Sequence, residues 1–239
     1  MQPNLKDTPT AVAILVRWRP DQLAWGGLRL PLAAIRQPTR PATDNGLEFQ
    51  KFLGSGSNGG FQMKPSIDHQ GWFGVFKSEQ QANRFIAKSK LVSEYRARSQ
   101  DCLILGLQPY QSRGSWSGFS LEPTPDKTAK KTGPIVSLTR ASIRLTKTLQ
   151  FWRQSPDAQR DVAQADGCLL AIGLGEMPLI RQATLSLWRN ESDLVAYAQT
   201  GAHRRAIQAA YGGDFFSESM FTRFELRSAT GHWRGQHYG

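Results

Sequence analysis

The sequence predicts an α+β protein built from two tandem ferredoxin-like units, whose sheets can pack into one closed barrel with helices outside. Three observations carry this expectation. Each half reads as strand, helix, strand, strand, helix, strand, the ferredoxin-like order. Each half closes on a Gly-x-Trp-x-Gly terminus, GSWSG from Gly114 and GHWRG from Gly231. Each also has a strand ending in Gly-x-Gly, at Gly54 and Gly56 and again at Gly173 and Gly175. The helix entries FKSEQQANRF and WRNESDLVAY correspond, yet the path from Glu191 to Trp233 is five residues longer than that from Glu79 to Trp116. A repeat predicts architecture, and a local departure from it marks where function was added. The predicted units span 10–121 and 134–236, joined by a linker at 122–133.

The elements follow in order. AVAILVRW, from Ala11 to Trp18, is a β-rich run ended by Pro20, a first strand. The Pro- and Gly-rich stretch to Asn45 holds a short helix around Leu30 to Ile35. Phe49 to Phe61 is a strand running into a Gly/Ser loop, and GWFGVF (71–76) is the next strand. Ser78 caps a helix with Glu79 in its first turn, extending to Arg98; a strand follows from Cys102 to Leu107. The segment EPTPDKTAKKTG lacks apolar residues and forms the linker. IVSLTRASIRL (135–145) opens the second unit, with a helix from Thr146 to Ala163. Strands follow at 168–175 and 183–188. Asn190 caps a helix reaching Tyr211, stopped by Gly212 and Gly213. MFTRFEL (220–226) is the last strand.

The chain has 239 residues with 30 Lys and Arg against 19 Asp and Glu, a formal charge of +11. Such a field favours anionic partners, among them lipid head groups, nucleic acid and acidic cofactors; a solvated basic surface accounts for it equally. The basic residues are scattered, and no zinc finger, RNP-like strand or basic heptad is present, which argues against nucleic acid. Cys102 and Cys168 sit in apolar runs and read as buried small hydrophobes, consistent with a reducing compartment. MQPNLKDTPT lacks a signal-peptide core, and no apolar run approaches the ~20 residues of a membrane span. The expectation is a soluble cytoplasmic protein whose membrane contact is at most peripheral.

The residues also limit the chemistry. No HxxxH or CxxC spacing supports a mononuclear zinc site, and no GxSxG elbow, Walker loop or kinase motif occurs. GSGSNGG (54–60) reads as a loop at a strand end rather than a nucleotide loop, though its glycines permit close approach to a cofactor. His69 lies in a loop before a strand, His232 in the closing turn and His237 in the tail. His203 differs: on a helix its face carries Ala196, Gln199, Ile207 and Ala210, after Gly201 and Ala202. An imidazole among small side chains can approach a flat cofactor, and neutral imidazole is a good haem ligand. A lone histidine on such a face is more often a hydrogen-bonded core residue, so both readings stay open. Arg140, Arg144 and Arg223 lie in or near strands, where a guanidinium faces a ligand, pairs with a propionate, or reaches solvent from a sheet edge.

FLGSGSNGGF with GWFGVF, LTRASI with a downstream FW, IGLGEMPLIRQATLSLW, GAHRRAI, and the closing FTRFEL and GHWRG together resemble the spheroidene monooxygenase family and its bacterial relatives. The resemblance runs from about Leu15 to Gly235 and is weakest between Asp21 and Glu48. It implies tandem ferredoxin-like halves in a dimeric-type α/β barrel. It also implies a haem b-containing oxygenase that uses O₂ and an external electron donor, a reductase or ferredoxin, to introduce keto groups into acyclic carotenoids by successive hydroxylation. By motif, His203 in GAHRRAI is the candidate axial iron ligand. Arg140 in LTRASI is the candidate distal, catalytic or propionate-pairing arginine, with Arg144 and Arg223 as further cofactor-binding candidates. A hydrophobic substrate implies peripheral contact with the inner face of a membrane, and a homo-oligomer is compatible. The alternatives are a haem peroxidase- or dehydratase-like enzyme on another small substrate, and a non-enzymatic carrier of haem or a hydrophobic ligand.

Overall fold

Thr10–Trp18 (β1) is apolar at every position but Thr10 and Arg17, and it is buried on both faces. A strand of this kind needs cover on each side, which places it in the middle of a layered fold. In the computed structural model, which describes residues 8–36, 45–123, 131, 133–177, 179–199 and 214–239, β1 lies between two neighbours and beneath helices. Leu23–Arg36 (α1) leads to Leu47–Gly56 (β2) and Pro65–Phe76 (β3). Glu79–Lys88 (α2) and Lys90–Arg98 (α3) then precede Ser99–Gly114 (β4). The second half runs Ile135–Ile143 (β5), Thr148–Gln164 (α4), Cys168–Met177 (β6), Arg181–Trp188 (β7), Glu191–Gln199 (α5) and Phe216–Trp233 (β8). A short Gln236–Tyr238 (β9) folds back on β8.

All the strand pairings are antiparallel, in the order β4-β1-β3-β2-β6-β7-β5-β8-β9, and a further β4–β8 pairing closes the first eight strands into a barrel. The fold is α+β. The strand order is 4-1-3-2 in the first half, and β8-β5-β7-β6 follows the same course in the second. The two seams between the halves are unequal. β4 and β8 pair from Cys102 opposite His232 to Gly114 opposite Met220. β2 and β6 meet at Gly54 opposite Gly175 and Ser55 opposite Leu174. The matched Gly-x-Gly strand ends are therefore the residues that touch across the short seam.

Alternation along each strand sorts its side chains to two faces. Inward, Ala11, Ala13, Leu15, Phe49, Phe73, Leu103, Leu105, Val136, Leu138, Leu185 and Phe224 fill the barrel, so the interior is a packed core and not a pore. Outward in the first half, Val12, Ile14, Val16, Trp72 and Phe76 meet α1 to α3. Trp18 lies edge-on to Trp25 and to Tyr95 at 5.3 and 5.1 Å, tying α1 and α3 to the strand end.

Several boundaries differ from the sequence expectation, each for a physical reason. α1 begins at Leu23 instead of near Leu30, because Trp25 and the Gly26 carbonyl, which accepts from Gln70 Nε2 at 2.8 Å, anchor its first turns on the sheet. The helix expected from Ser78 to Arg98 is two helices: Ser89 takes an extended conformation and caps the second, accepting from the Val92 N–H. β4 and β8 outrun their apolar cores because each extension pairs with the other half. His69 lies in β3, opposite Arg17, and not in a loop. His232 lies in β8, opposite His237 of β9. The Asn190 cap is present, its Oδ1 accepting from Asp193 N at 2.9 Å, but the helix it opens is described only to Gln199. The 122–133 linker lies mostly outside the described residues. Among the described residues no helix is long and apolar enough to cross a membrane.

Beyond the short seam, the 57–62 segment takes over from β2, and Gly173 of β6 lies directly beneath it. A Cβ at Gly173 would sit 2.6 Å from the Gly60 carbonyl oxygen and 2.7 Å from Phe61 Cα, both backbone atoms that cannot rotate away. Gly173→Ala should cost about 1–3 kcal/mol as overpacking. Gly133→Ala, where a Cβ meets nothing within 4 Å, should stay within about 0.5 kcal/mol. Urea denaturation of the two variants checks the contrast, and equal stabilities would refute this account of the seam.

Candidate functional site

Each end of the barrel is closed by the tryptophan of a Gly-x-Trp-x-Gly terminus, and the two ends differ in chemistry. Trp116 is fully buried and stacks on Phe73 at 5.5 Å. Its Nε1 donates to Glu176 Oε1 at 2.6 Å. Glu176 also takes Lys51 Nζ at 2.6 Å and Arg140 Nη2 at 3.2 Å. Arg140, 1% exposed, gives its other terminal nitrogen to Glu218, which further accepts from Ser115 Oγ and the Gly118 N–H, both at 2.9 Å. The cluster joins β2 and the GSWSG turn to β5, β6 and β8.

Burial acts to raise the carboxyls of both glutamates. In Glu176 the Lys51, Trp116 and Arg140 contacts outweigh it and the carboxyl is lowered. In Glu218 the Gly118 and Ser117 amides, the Ser115 hydroxyl and Arg140 bring it down to about 2. Two cations thus face two carboxylates that stay ionised at neutral pH. Such a cluster fastens strands together but has no proton to give. Its net worth is modest against desolvation, whereas removing one member leaves a buried charge unpaired.

The opposite end is more open. Trp233 is buried there, and its Nε1 has no hydrogen-bond partner. His69, 5% exposed, lies edge-on to it at 5.9 Å. Asp68 Oδ1 accepts from His69 Nδ1 at 2.7 Å, which fixes the ring with Nδ1 protonated. Asp68 Oδ2 takes Arg17 Nε at 3.1 Å. Burial works to raise the Asp68 carboxyl, but Ser66, His69 and Arg17 hold it at about 2. Beside these groups lies a cavity of about 490 Å³, walled by the 57–62 segment, by Arg234 and by residues of α4, β6 and β7. That volume lies in the range of small-molecule and cofactor sites.

A third feature is the outward face of the second half. Where the first half carries large apolar residues, β5 to β7 carry Ser137, Thr139, Ala141, Ala171, Thr184 and Ser186. Among the described residues the apolar cluster over this face is small, built on Ile135, Trp188 and Leu194. Arg223 of β8 stands on the same face, opposite Ser137, and pairs with Glu191 at the start of α5 at 3.2 Å. Tyr110 donates to the same carboxylate oxygen at 3.2 Å.

The sequence-derived candidates are therefore dispersed. Arg140 points inward at the Trp116 end, Arg144 pairs with Asp214 at 3.2 Å near the end of β5, and Arg223 faces outward; they share no partner. His203 lies outside the described residues. His232 and His237 stack on each other at 5.2 Å on the exposed terminal hairpin. Among the described residues no cluster of three His, Cys, Asp or Glu could hold a metal. Burial pushes the thiols of Cys102 and Cys168 up to about 11, which makes them poor nucleophiles. Arg17, Asp68, Glu176, Glu218 and Arg234 were not picked out from sequence. A signal existed for Arg17, a lone charge at an inward position of an otherwise apolar strand.

The Trp116 cluster makes stability depend on acid. Glu218 has an ordinary value of 4.5 and about 2 in the folded chain. The folded protein therefore binds this proton less readily than the unfolded one, and stability present above about 4.5 is lost as the pH falls towards 2. Asp68 titrates over an overlapping range, so the check is a difference: Glu218→Gln should flatten the wild-type decline in urea-unfolding stability across that window. Arg140→Met should cost about 3–5 kcal/mol at neutral pH, by leaving two carboxylates without their shared cation.

No protein-family model matches the chain. Among solved structures it is similar to aldoxime dehydratase, with a TM-score of 0.55 at 11% identity over 94% of this chain and 83% of that one. At that identity the likeness is one of fold. Curated relatives are far nearer in sequence. The chain is 43% identical to spheroidene monooxygenase of Rubrivivax gelatinosus over 95% of its own length and 86% of the relative's. It is 33% identical to that of Rhodobacter capsulatus, over 82% and 83% of the two chains. A third relative of the same name, from Cereibacter sphaeroides, is 30% identical over 79% of this chain and 59% of its own. With that identity spread over nearly its whole length, the chain belongs to the spheroidene monooxygenase family of oxidoreductases.

Proposed function

We propose that this chain is a haem-dependent monooxygenase that introduces keto groups into acyclic carotenoids of the spheroidene type. The observation that carries the reading is its 43% identity to spheroidene monooxygenase of Rubrivivax gelatinosus across 95% of the chain. We further infer that the halves are tandem ferredoxin-like units, 10–121 and 134–236 joined by 122–133, in a dimeric-type α/β barrel. The shared strand order of the two halves supports this.

The small outward side chains of the second half support a flat cofactor there. Ser, Thr and Ala stand on the outward face of β5 to β7, where the first half carries Val12, Ile14, Val16, Trp72 and Phe76. In this reading His203, on the chain that continues from α5, would hold the iron. Arg223 on the outward face and Arg144 at the end of β5 would offer cations to propionates. Arg140 contributes through β5: its carboxylate pairs hold the strand on whose outward face Thr139 and Ala141 stand. Bound haem would supply the centre at which O₂ is reductively activated by electrons from an external reductase or ferredoxin.

Two hydroxylations at one carbon give a gem-diol that loses water to a ketone. Each hydroxylation consumes one O₂, two electrons and two protons and releases one water. The polyene is nearly insoluble in water, so the chain must collect it at a lipid surface. Its formal charge of +11 would favour anionic lipid by ~1 kcal/mol per basic residue near the surface. A homo-oligomer is compatible with this reading.

Purified protein reconstituted with haem should show a Soret band and convert spheroidene to a ketone carrying oxygen from labelled O₂, given a reductant. His203→Ala should lose the band and the product. An unchanged Soret band in that variant would overturn the ligand assignment, and unaltered spheroidene with haem bound would overturn the reaction.

A further inference from the structure

The cavity at the Trp233 end is lined by basic side chains, while the described carboxylates nearby, Asp68 and Asp101, both lie beside Arg17. Among the described residues its wall includes Arg17, His69 and Arg234 and no carboxylate. Asp68, outside the wall, takes Arg17 through Nε and His69 through Nδ1. The terminal nitrogens of Arg17 and the Nε2 edge of His69 remain for the cavity side. Arg234 gives Nη2 to the Asn58 carbonyl and has no acidic partner among the described residues. The side chains converge: a Cβ at Gly59 would lie 3.0 Å from Arg234 Nη2 and 3.1 Å from His69 Cδ2. Close by, the buried Trp233 indole lacks the acceptor that Glu176 provides for Trp116 at the other end. Elsewhere the wall is mixed: Ser57, Asn58, Gln62 and Thr184 are polar, and Phe61, Val162, Ala171 and Ile172 form an apolar part.

We propose that this cavity binds a carboxylate carried on an apolar body. Two guanidinium groups and an imidazole suit the two oxygens of one carboxylate, guanidinium being the group that grips it in a planar, two-point contact. The apolar part of the wall takes the body, and about 490 Å³ accommodates it. Two sources present this chemistry, a medium-chain fatty acid and the propionate edge of a porphyrin. The second rests on the haem reading given above, with the propionates at Arg17 and Arg234 in place of Arg144 and Arg223; the first does not.

Decanoate titrated into the purified protein, followed by calorimetry and tryptophan fluorescence, should bind saturably, while decanol should not. Arg234→Gln removes an exposed cation with no ion pair, so the fold should persist, checked by an unchanged melting temperature. The variant should weaken decanoate by about tenfold or more, as for a hydrogen bond between charged groups. Protoporphyrin IX and its dimethyl ester form the second arm. If the porphyrin is the source, the substitution weakens the diacid and leaves the diester unchanged. Either pattern supports the proposal. Acids that bind no better than decanol and the diester, or that ignore the substitution, overturn it. Decanoate bound through Arg234 by a protein that takes no haem would sustain this proposal while sinking the haem reading.

Discussion

Closing eight strands from two halves requires two seams, and the inequality of those seams shapes everything else in this protein. Backbone donors and acceptors at a strand edge must be paired, covered or wetted. β4 and β8 meet this demand with a ladder that runs nearly the length of both strands. β2 and β6 touch only around Gly54 and Gly175 among the described residues. Past that point the wall needs cover, and the 57–62 segment supplies it: Ser57 N–H donates to Lys64 O at 2.8 Å, and Phe61 stacks on Trp152 of α4 at 5.2 Å. A segment laid over a gap packs less completely than a continuous ladder. The cavity lies at that place.

The two tryptophan-closed ends show how one backbone plan acquires two electrostatic characters. At the Trp116 end, Lys51 and Arg140 face Glu176 and Glu218, and every charge has its opposite. At the Trp233 end, Asp68 answers Arg17 and His69, but among the described residues Arg234 meets only a carbonyl. Coulomb attraction grows as water is excluded, so a neutral cluster closes on itself while an unbalanced one retains attraction for a mobile ion. The first end has spent its charges on holding strands together. The second has not.

How much of this was legible in the sequence depends on the range over which each contact acts. β1 and β5 were readable because their burial is written in consecutive residues. The Ser78 and Asn190 caps were readable because a cap acts within one turn. The extensions of β4 and β8 were not, since Gln111, Ser112 and Arg113 look like loop residues until paired with Arg223, Thr222 and Phe221 in the other half. His69 was misplaced for the same reason: DHQG has turn-like composition, and only pairing with Arg17 makes it strand. Arg140 stood out as a lone cation in an apolar strand. Its partners, Glu176 and Glu218, carry no local mark that would assign them to it.

The outward faces complete the asymmetry. Burial of apolar area contributes roughly 25 cal/mol per Å², and the first half collects it generously, from Trp18, Trp72, Phe76 and Tyr95 against its three helices. The second half presents Ser, Thr and Ala on β5 to β7, so its described helices can draw far less cohesion from the sheet beneath them. Among the described residues it is held by the long β4–β8 ladder and by the charge cluster at Arg140, both of which act at the barrel. The five residues by which the path from Glu191 to Trp233 exceeds that from Glu79 to Trp116 belong to this half, as does the sheet face of small side chains.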